Sequence, residues 1–276
     1  MKKILRIFLL AILVSGIVLM SGCAKEAKKN IIDRARESST SIKNYDLDMT
    51  MDIGMKVMDQ DIVMLMEMES TNFTDPVKSR LEMSIDMGEL GKQESKSYTV
   101  QDGDVIKVYT YSMGEWTLKE ISGLKNMEDA LANSNFKIFI DNFDSFKEVG
   151  TDKIEGKDVV VYEGVIKGSS LSEVMKTSGL LSSLQSDMTM DYEVVFGEDM
   201  GDMPVKFWIE KETAYPVKYS MDMSLVLNRL MTVIYAEAMP GTNVEVDVSK
   251  CLVEMTMKNI NKAEDFKIPE EVSKVK

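Results

Sequence analysis

The chain has 276 residues, 44% of them hydrophobic, with 33 Lys and Arg against 46 Asp and Glu, a net charge of −13, and no His. A chain this acidic is a poor partner for nucleic acid, which requires clustered Lys and Arg, and for electrostatic docking on anionic lipid headgroups. The missing His excludes a Ser-His-Asp triad, a Cys-His pair and a zincin helix, and two Cys make a sparse basis for a disulfide framework.

At the N-terminus, Lys2, Lys3 and Arg6 lead into the apolar run Ile7–Met20, interrupted only by Ser15 and Gly16. A spanning helix needs about 20 apolar residues. A basic start, a shorter apolar run and the small residues Ser21 and Gly22 make a secretory signal segment. Ser21-Gly22-Cys23 resembles the processing site of bacterial lipoproteins. That resemblance implies that residues 1–22 are removed and that Cys23 carries a covalent diacylglyceryl group, with fatty acids such as palmitate. The expected location is the outer face of the cytoplasmic membrane, facing the extracellular or cell-wall space. Two or more acyl chains would hold the protein there stably. Loss of Lys2, Lys3 and Arg6 takes the net charge from −13 to −16, and the 254 residues that remain can bury a substantial core. With Cys23 engaged, Cys251 has no partner for an intramolecular disulfide.

Residues 23–30 read as the lipidated Cys and a tether, and 31–276 as a single domain. Ile31, Ile32, Ala35 and Ile42 fall at helical spacing, which predicts a helix to about Lys43. The period then becomes two. Leu47, Met49, Met51, Ile53, Met55 and Val57 alternate with polar residues and predict a strand with one buried face. Asp59-Gln60 is read as a turn, Ile62, Met64, Met66 and Met68 as the returning strand, and Leu81, Met83, Ile85 and Met87 as a third. Further strands are expected at Ser95–Gln101, Asp104–Tyr111 and Glu115–Glu120, with Asp102-Gly103 as a hairpin turn.

Phe136, Phe139, Ile140 and Phe143 share a helical face, and Val159–Ile166 suits a strand buried on both sides. Ser170-x-x-Glu173 reads as a capping box before Leu171, Val174, Met175 and later Leu180, Leu181 and Leu184. Strands are expected over Val205–Ile209 and Val217–Leu225, around a turn at Lys211–Pro216, and a helix through Leu227, Leu230, Met231 and Ile234. Val244, Val246 and Val248 alternate in one phase and Cys251, Val253, Met255 and Met257 in the other, which predicts a bulge near Ser249-Lys250. The charged stretch after Ile268-Pro269 is read as a loose end. Five Pro and no low-complexity stretch leave no linker, so the expected fold is one α+β domain with helices on one face of a large curved antiparallel sheet.

The segment Val205-Lys206-Phe207-Trp208-Ile209-Glu210-Lys211-Glu212-Thr213-Ala214-Tyr215-Pro216-Val217-Lys218-Tyr219 resembles a hairpin of the lipoprotein-carrier class (LolA/LppX-like). That class includes the mycobacterial lipid-carrying lipoproteins and a group of lipoproteins from Gram-positive bacteria. Asp102-Gly103 followed by Trp116, and the ending Ile260-Asn261 through Ile268-Pro269, are similar to the same class. The resemblance implies an incomplete β-barrel, a strongly curved sheet wrapped over helices and enclosing an apolar cavity for acyl chains.

The 24 methionines are the second functional signal. Those expected to line the cavity are Met49, Met51, Met55, Met64, Met66, Met83, Met221, Met223, Met255 and Met257. Unbranched, polarizable Met adapts to varied apolar partners. The function expected is non-enzymatic binding of a lipid or other hydrophobic ligand by a membrane-anchored monomer, with no catalytic residues, metal or further cofactor and no nucleic acid. Two alternatives stay open. One is a cell-surface interaction or sensor module with a packed core and no ligand. The other is copper: Met-x-Met recurs, and thioethers are soft ligands for Cu(I), although the pairs sit on different strands.

Overall fold

Alternating sequence becomes long antiparallel strands because a period of two places every apolar side chain on one side of a pleated backbone. The structure, a computed structural model, describes residues 31–112, 114–122, 145–171, 200–238 and 245–275. The signal segment, Cys23, the tether, the Phe136–Phe143 face, Leu180–Leu184 and Val244 lie outside the described residues. A helix over 31–39 (α1) precedes β1 (Asn44–Val57), β2 (Gln60–Thr74), β3 (Val77–Asp86), β4 (Lys92–Asp102), β5 (Val105–Ser112) and β6 (Glu115–Ser122). There follow β7 (Lys147–Ile154), β8 (Lys157–Ile166), β9 (Met203–Glu210), β10 (Pro216–Asp222), helix α2 (Ser224–Ala238), β11 (Val246–Lys258) and helix α3 (Glu270–Ser273).

All the strands join one antiparallel sheet in the order β6-β5-β4-β3-β2-β1-β11-β10-β9-β8-β7. The first six form a meander, and the last strand returns to pair with the first. Among the described residues β6 and β7 remain edges, so the sheet does not close. Ile32 and Ala35 of α1 and Val226 of α2 pack into one cluster with Tyr162, Phe207, Tyr219, Met221 and Val253, so both helices lie on the same face.

Strands β8–β10 carry a second layer on the opposite face, where Val159, Val161, Trp208 and Val217 form their own cluster. Val159 through Tyr162 are consecutively buried, as expected of a strand covered on both sides. A third cluster, Ile53, Val248 and Cys251, sits beneath the start of α2. The bulge is where the phase change predicted it. Gly54 pairs with Lys250 and Met55 with Val248, leaving Ser249 as the extra residue. The backbone groups a bulge frees need other partners. Asn228 Oδ1 accepts from Val248 N at 3.0 Å, and Ser249 Oγ donates to Gly54 O at 3.0 Å.

Several expectations are corrected. Helix α1 ends at residue 39, because Ser38, Ser39, Thr40 and Ser41 each turn a hydroxyl onto the carbonyl three residues back. Such bonds compete with helix continuation. The first hairpin turns at Met58-Asp59, one residue early, with Met58 at φ 54° and Val57 paired to Gln60. Likewise Asp102 pairs with Val105, so the later turn is Gly103-Asp104, with Gly103 at φ 62°. Ser170 lies inside a helical turn over 168–171 rather than capping it. Leu225 belongs to α2, whose start is capped by Asp222 Oδ1 accepting from Ser224 N at 3.0 Å. Lys147–Ile154 is a strand although it shows no alternation, since as an edge strand it is exposed at every residue but Ile154. The C-terminus is docked: Phe266 packs on Phe73 and Tyr98 with ring centroids 6.1 and 6.2 Å away, and Val272 of α3 is fully buried.

Candidate functional site

Antiparallel register decides which methionines meet. Directly opposed residues bring their Cβ atoms to about 4.5–5.5 Å, and here one row crosses five strands. Tyr219 of β10 opposes Met255 of β11, which opposes Met49 of β1, then Met68 of β2 and Met83 of β3. The row below runs Met221, Val253, Met51, Met66, Ile85. Ile53 sits between Cys251 and Met64, and Leu47 opposes Met257. Strands far apart in sequence are thus neighbours, and the Met-x-Met pairs of β1, β2 and β11 form one field.

All ten predicted methionines lie on the face that carries the helices. Met49, Met51, Met223, Met255 and Met257 pack against the large cluster to which Met221 belongs, and Met51, Met55, Met64 and Met223 against the cluster around Ile53. Met66 and Met83 extend the face outward over β2 and β3. Met221 is buried, and the other nine are half-buried. Met68, outside the predicted lining, occupies the middle of the first row between Met49 and Met83. Its alternation was visible in the sequence; its place between two other methionines depends on pairing.

Cys251 on this face is 2% exposed, and burial first, then the nearby Asp222 charge, pushes its thiol up to about 11. That keeps it protonated and inert at neutral pH. Among the described residues no group of three or more His, Cys, Asp or Glu is placed to hold a metal ion.

The opposite face of β1–β4 carries mostly polar side chains, with Val63 and Leu65 of β2 exposed on it at 66% and 40%. A groove of about 420 Å³ there touches the triplets Asp48-Met49-Thr50, Glu67-Met68-Glu69, Glu82-Met83-Ser84 and Glu94-Ser95-Lys96. Adjacent strand residues point to opposite sides. The outer members of each triplet therefore line the groove, and the row Met49-Met68-Met83-Ser95 supplies its floor with backbone. Ion pairs cross this outer face, Lys96–Glu82 at 3.4 Å, Lys250–Asp52 at 2.5 Å and Lys258–Asp48 among them. The hydrogen bond that Lys258 donates to Asp48 is the main cause raising the pKa of its ammonium. Such exposed pairs contribute little.

The Glu210–Thr213 motif has a structural account. Glu210, 6% exposed, accepts from Thr213 Oγ1 at 3.0 Å and from Lys157 at 3.2 Å, and Tyr215 N donates to Thr213 Oγ1 at 3.2 Å. The turn places Ala214 at φ 59°, fully buried. Helix α1 is clamped on it, with Ser38 Oγ donating to Ala214 O at 2.9 Å and Arg34 to Glu212 O at 2.5 Å. This motif positions a helix over the sheet.

No helix among the described residues is long and apolar enough to cross a membrane. The structure is similar to that of LprF from Mycobacterium bovis, at 12% identity over 90% of this chain and 98% of that one, with a TM-score of 0.49. It is also similar to the lipoprotein LppX from Mycobacterium tuberculosis, at 8% identity over 86% of this chain and 97% of that one, with a TM-score of 0.44. No curated protein matches the chain. A family model described as "Family of unknown function (DUF6612)" matches residues 27–276, and the chain belongs to that family.

Proposed function

We propose that this protein is a lipoprotein, anchored through diacylglycerol on Cys23 to the outer face of the cytoplasmic membrane, and that it binds a lipid or other hydrophobic ligand without chemistry. The observation that carries this reading is the apolar face of β1–β3 and β11. Met49, Met51, Met64, Met66, Met68, Met83, Met255 and Met257 are half-buried side by side there, and they continue a fully packed core on β8–β10. Apolar area left partly in water is stabilised when a ligand covers it, at about 25 cal/mol per Å². Adaptable thioethers suit acyl chains of varied shape. The hairpin over Val205–Val217 and the expected Ser21-Gly22-Cys23 processing site support a LolA-like carrier held close to its membrane.

Two experiments test this. Residues 24–276 are purified and examined by native mass spectrometry with lipid extraction. The expected result is a co-purifying lipid, or binding of an added fatty acid, that is lost in Met51→Glu and Met223→Glu. A domain that is empty and binds no fatty-acid probe would sink the ligand reading and leave the interaction module. For the anchor, Cys23→Ala should release the full chain from the membrane fraction; retention equal to wild type would refute it.

A further inference from the structure

We propose that the row Met49–Met68–Met83 is an oxidant-sensing modification site, at which peroxide or hypochlorous acid converts thioethers to sulfoxides and so weakens the apolar face for its ligand. The loss of ligand rests on the reading above; the modification does not. The three residues oppose one another on adjacent strands and are half-buried, so part of each side chain meets solvent without unfolding. Met200 and Met203, at 2% and 3% exposure, lie in the packed cluster with Tyr162 and Phe207 and serve as protected references. Met58, 51% exposed in the first hairpin turn, is the unprotected one.

The step is a two-electron oxygen transfer. A sulfur lone pair attacks one peroxide oxygen, the O–O bond breaks, and an S–O bond forms. Sulfur loses two electrons, each peroxide oxygen gains one, and the departing hydroxide takes the hydroxyl proton to leave as water. With hypochlorous acid, sulfur attacks chlorine and hydroxide leaves; water then adds to sulfur as chloride departs, and of the two protons released one returns to the hydroxide. Sulfoxide is polar and reducible back to thioether by methionine sulfoxide reductases. At a half-buried position it can stay hydrated in the free protein. Beneath an acyl chain it becomes a desolvated dipole without a partner. Met68 and Met83 lie outside the aromatic core on β8–β10 and Met49 only packs against its margin, so the face changes character while the fold persists.

The test uses the full-length protein in membranes, treated with hydrogen peroxide, digested and mapped by mass spectrometry. A photoreactive fatty acid reports occupancy of β1–β3 before and after. The expected order of oxidation is Met58, then Met49, Met68 and Met83, then Met200 and Met203 at least about tenfold more slowly, since these need local opening. Labelling of β1–β3 should fall about tenfold or more, through the desolvated dipoles, and return after methionine sulfoxide reductase treatment. The triple variant Met49→Leu, Met68→Leu, Met83→Leu keeps the apolar volume, so labelling should persist and lose part of its oxidant sensitivity, the remainder coming from half-buried Met51, Met66, Met255 and Met257 on the same face. Oxidation of the row no faster than Met200 and Met203 overturns the proposal. So does labelling unchanged by oxidation, or equally oxidant-sensitive in the triple variant. Absence of labelling before oxidation overturns the ligand reading and the switch together, and the sulfoxide order tells that failure from the others.

Discussion

Strands β8–β10 and strands β1–β3 turn apolar side chains to the same face of one sheet. Yet Tyr162, Phe207 and Ile209 are fully buried, while Met51, Met66 and Met83 remain half-buried. The first region is covered by α1, Phe146, Leu171, Met200 and α2 on that face, and has a second apolar layer behind it. The second region has a carboxylate-rich outer face instead. Alternation therefore does not set burial; cover does. The two regions also differ in what fills them. Phe207 stacks on Tyr162 at 5.4 Å and meets Phe146 edge-on at 5.1 Å, a specific geometry. Methionines on β1–β3 specify no such arrangement.

The largest expected effect comes from truncating each region in turn. Phe207→Ala should cost about 3–5 kcal/mol, as for a large buried aromatic. Met66→Ala should cost about 1 kcal/mol, for partial loss of a half-buried side chain. Urea midpoints measure both, and equal losses would break the distinction between the regions.

Next is the glycine under Phe146. A Cβ on Gly164 would sit 2.6 Å from the Phe146 ring and 2.9 Å from its Cα, so the backbone itself obstructs it. Gly164→Ala should destabilise by about 1–3 kcal/mol. At Gly54 the nearest atom is Ser249 Oγ at 3.2 Å, a movable side chain, and Gly54→Ala should cost less by the same assay.

Smaller still is an alkaline effect shared by both regions. Burial raises the Tyr219 and Tyr162 phenols and holds the Cys251 thiol at about 11, against an ordinary 9.0. The folded state keeps these protons while the unfolded state releases them. Stability is thus complete below the unfolded values and falls as pH rises toward the folded ones. Melting temperatures should decline above about pH 9, less steeply in Cys251→Ala. An unchanged slope in that variant would mean the thiol is not desolvated.

The smallest effect belongs to the polar face. Lys96→Ala removes the 3.4 Å pair with Glu82 and should shift stability by at most about 0.5 kcal/mol. A larger loss in differential scanning calorimetry would show that the outer face of β1–β4 is energetically coupled to the sheet.

Much of the sheet was legible because alternation is local. Strand β1, the return of β2, the β9–β10 hairpin and the bulge at Ser249 all announce themselves within about a dozen residues. Strand β7 did not: Lys147-Glu148-Val149-Gly150-Thr151-Asp152-Lys153 has no periodic face, and only pairing with β8 makes it extended. The end of the β10 strand was misplaced because Leu225 continues the alternation, while the Asp222 cap two residues before Ser224 starts a helix. Phe266 gives no hint in the sequence that it docks on Phe73 and Tyr98, more than 160 residues earlier in the chain.

By itself, then, the sequence determined which residues share a face, since side-chain direction in a strand follows from backbone geometry over two residues. It also determined that methionine would populate that face. Tertiary structure decided the register that sets Met49, Met68 and Met83 in one row, and the cover that buries Met200 while leaving that row half-buried. Register and cover depend on contacts between segments tens to hundreds of residues apart, which no local period encodes.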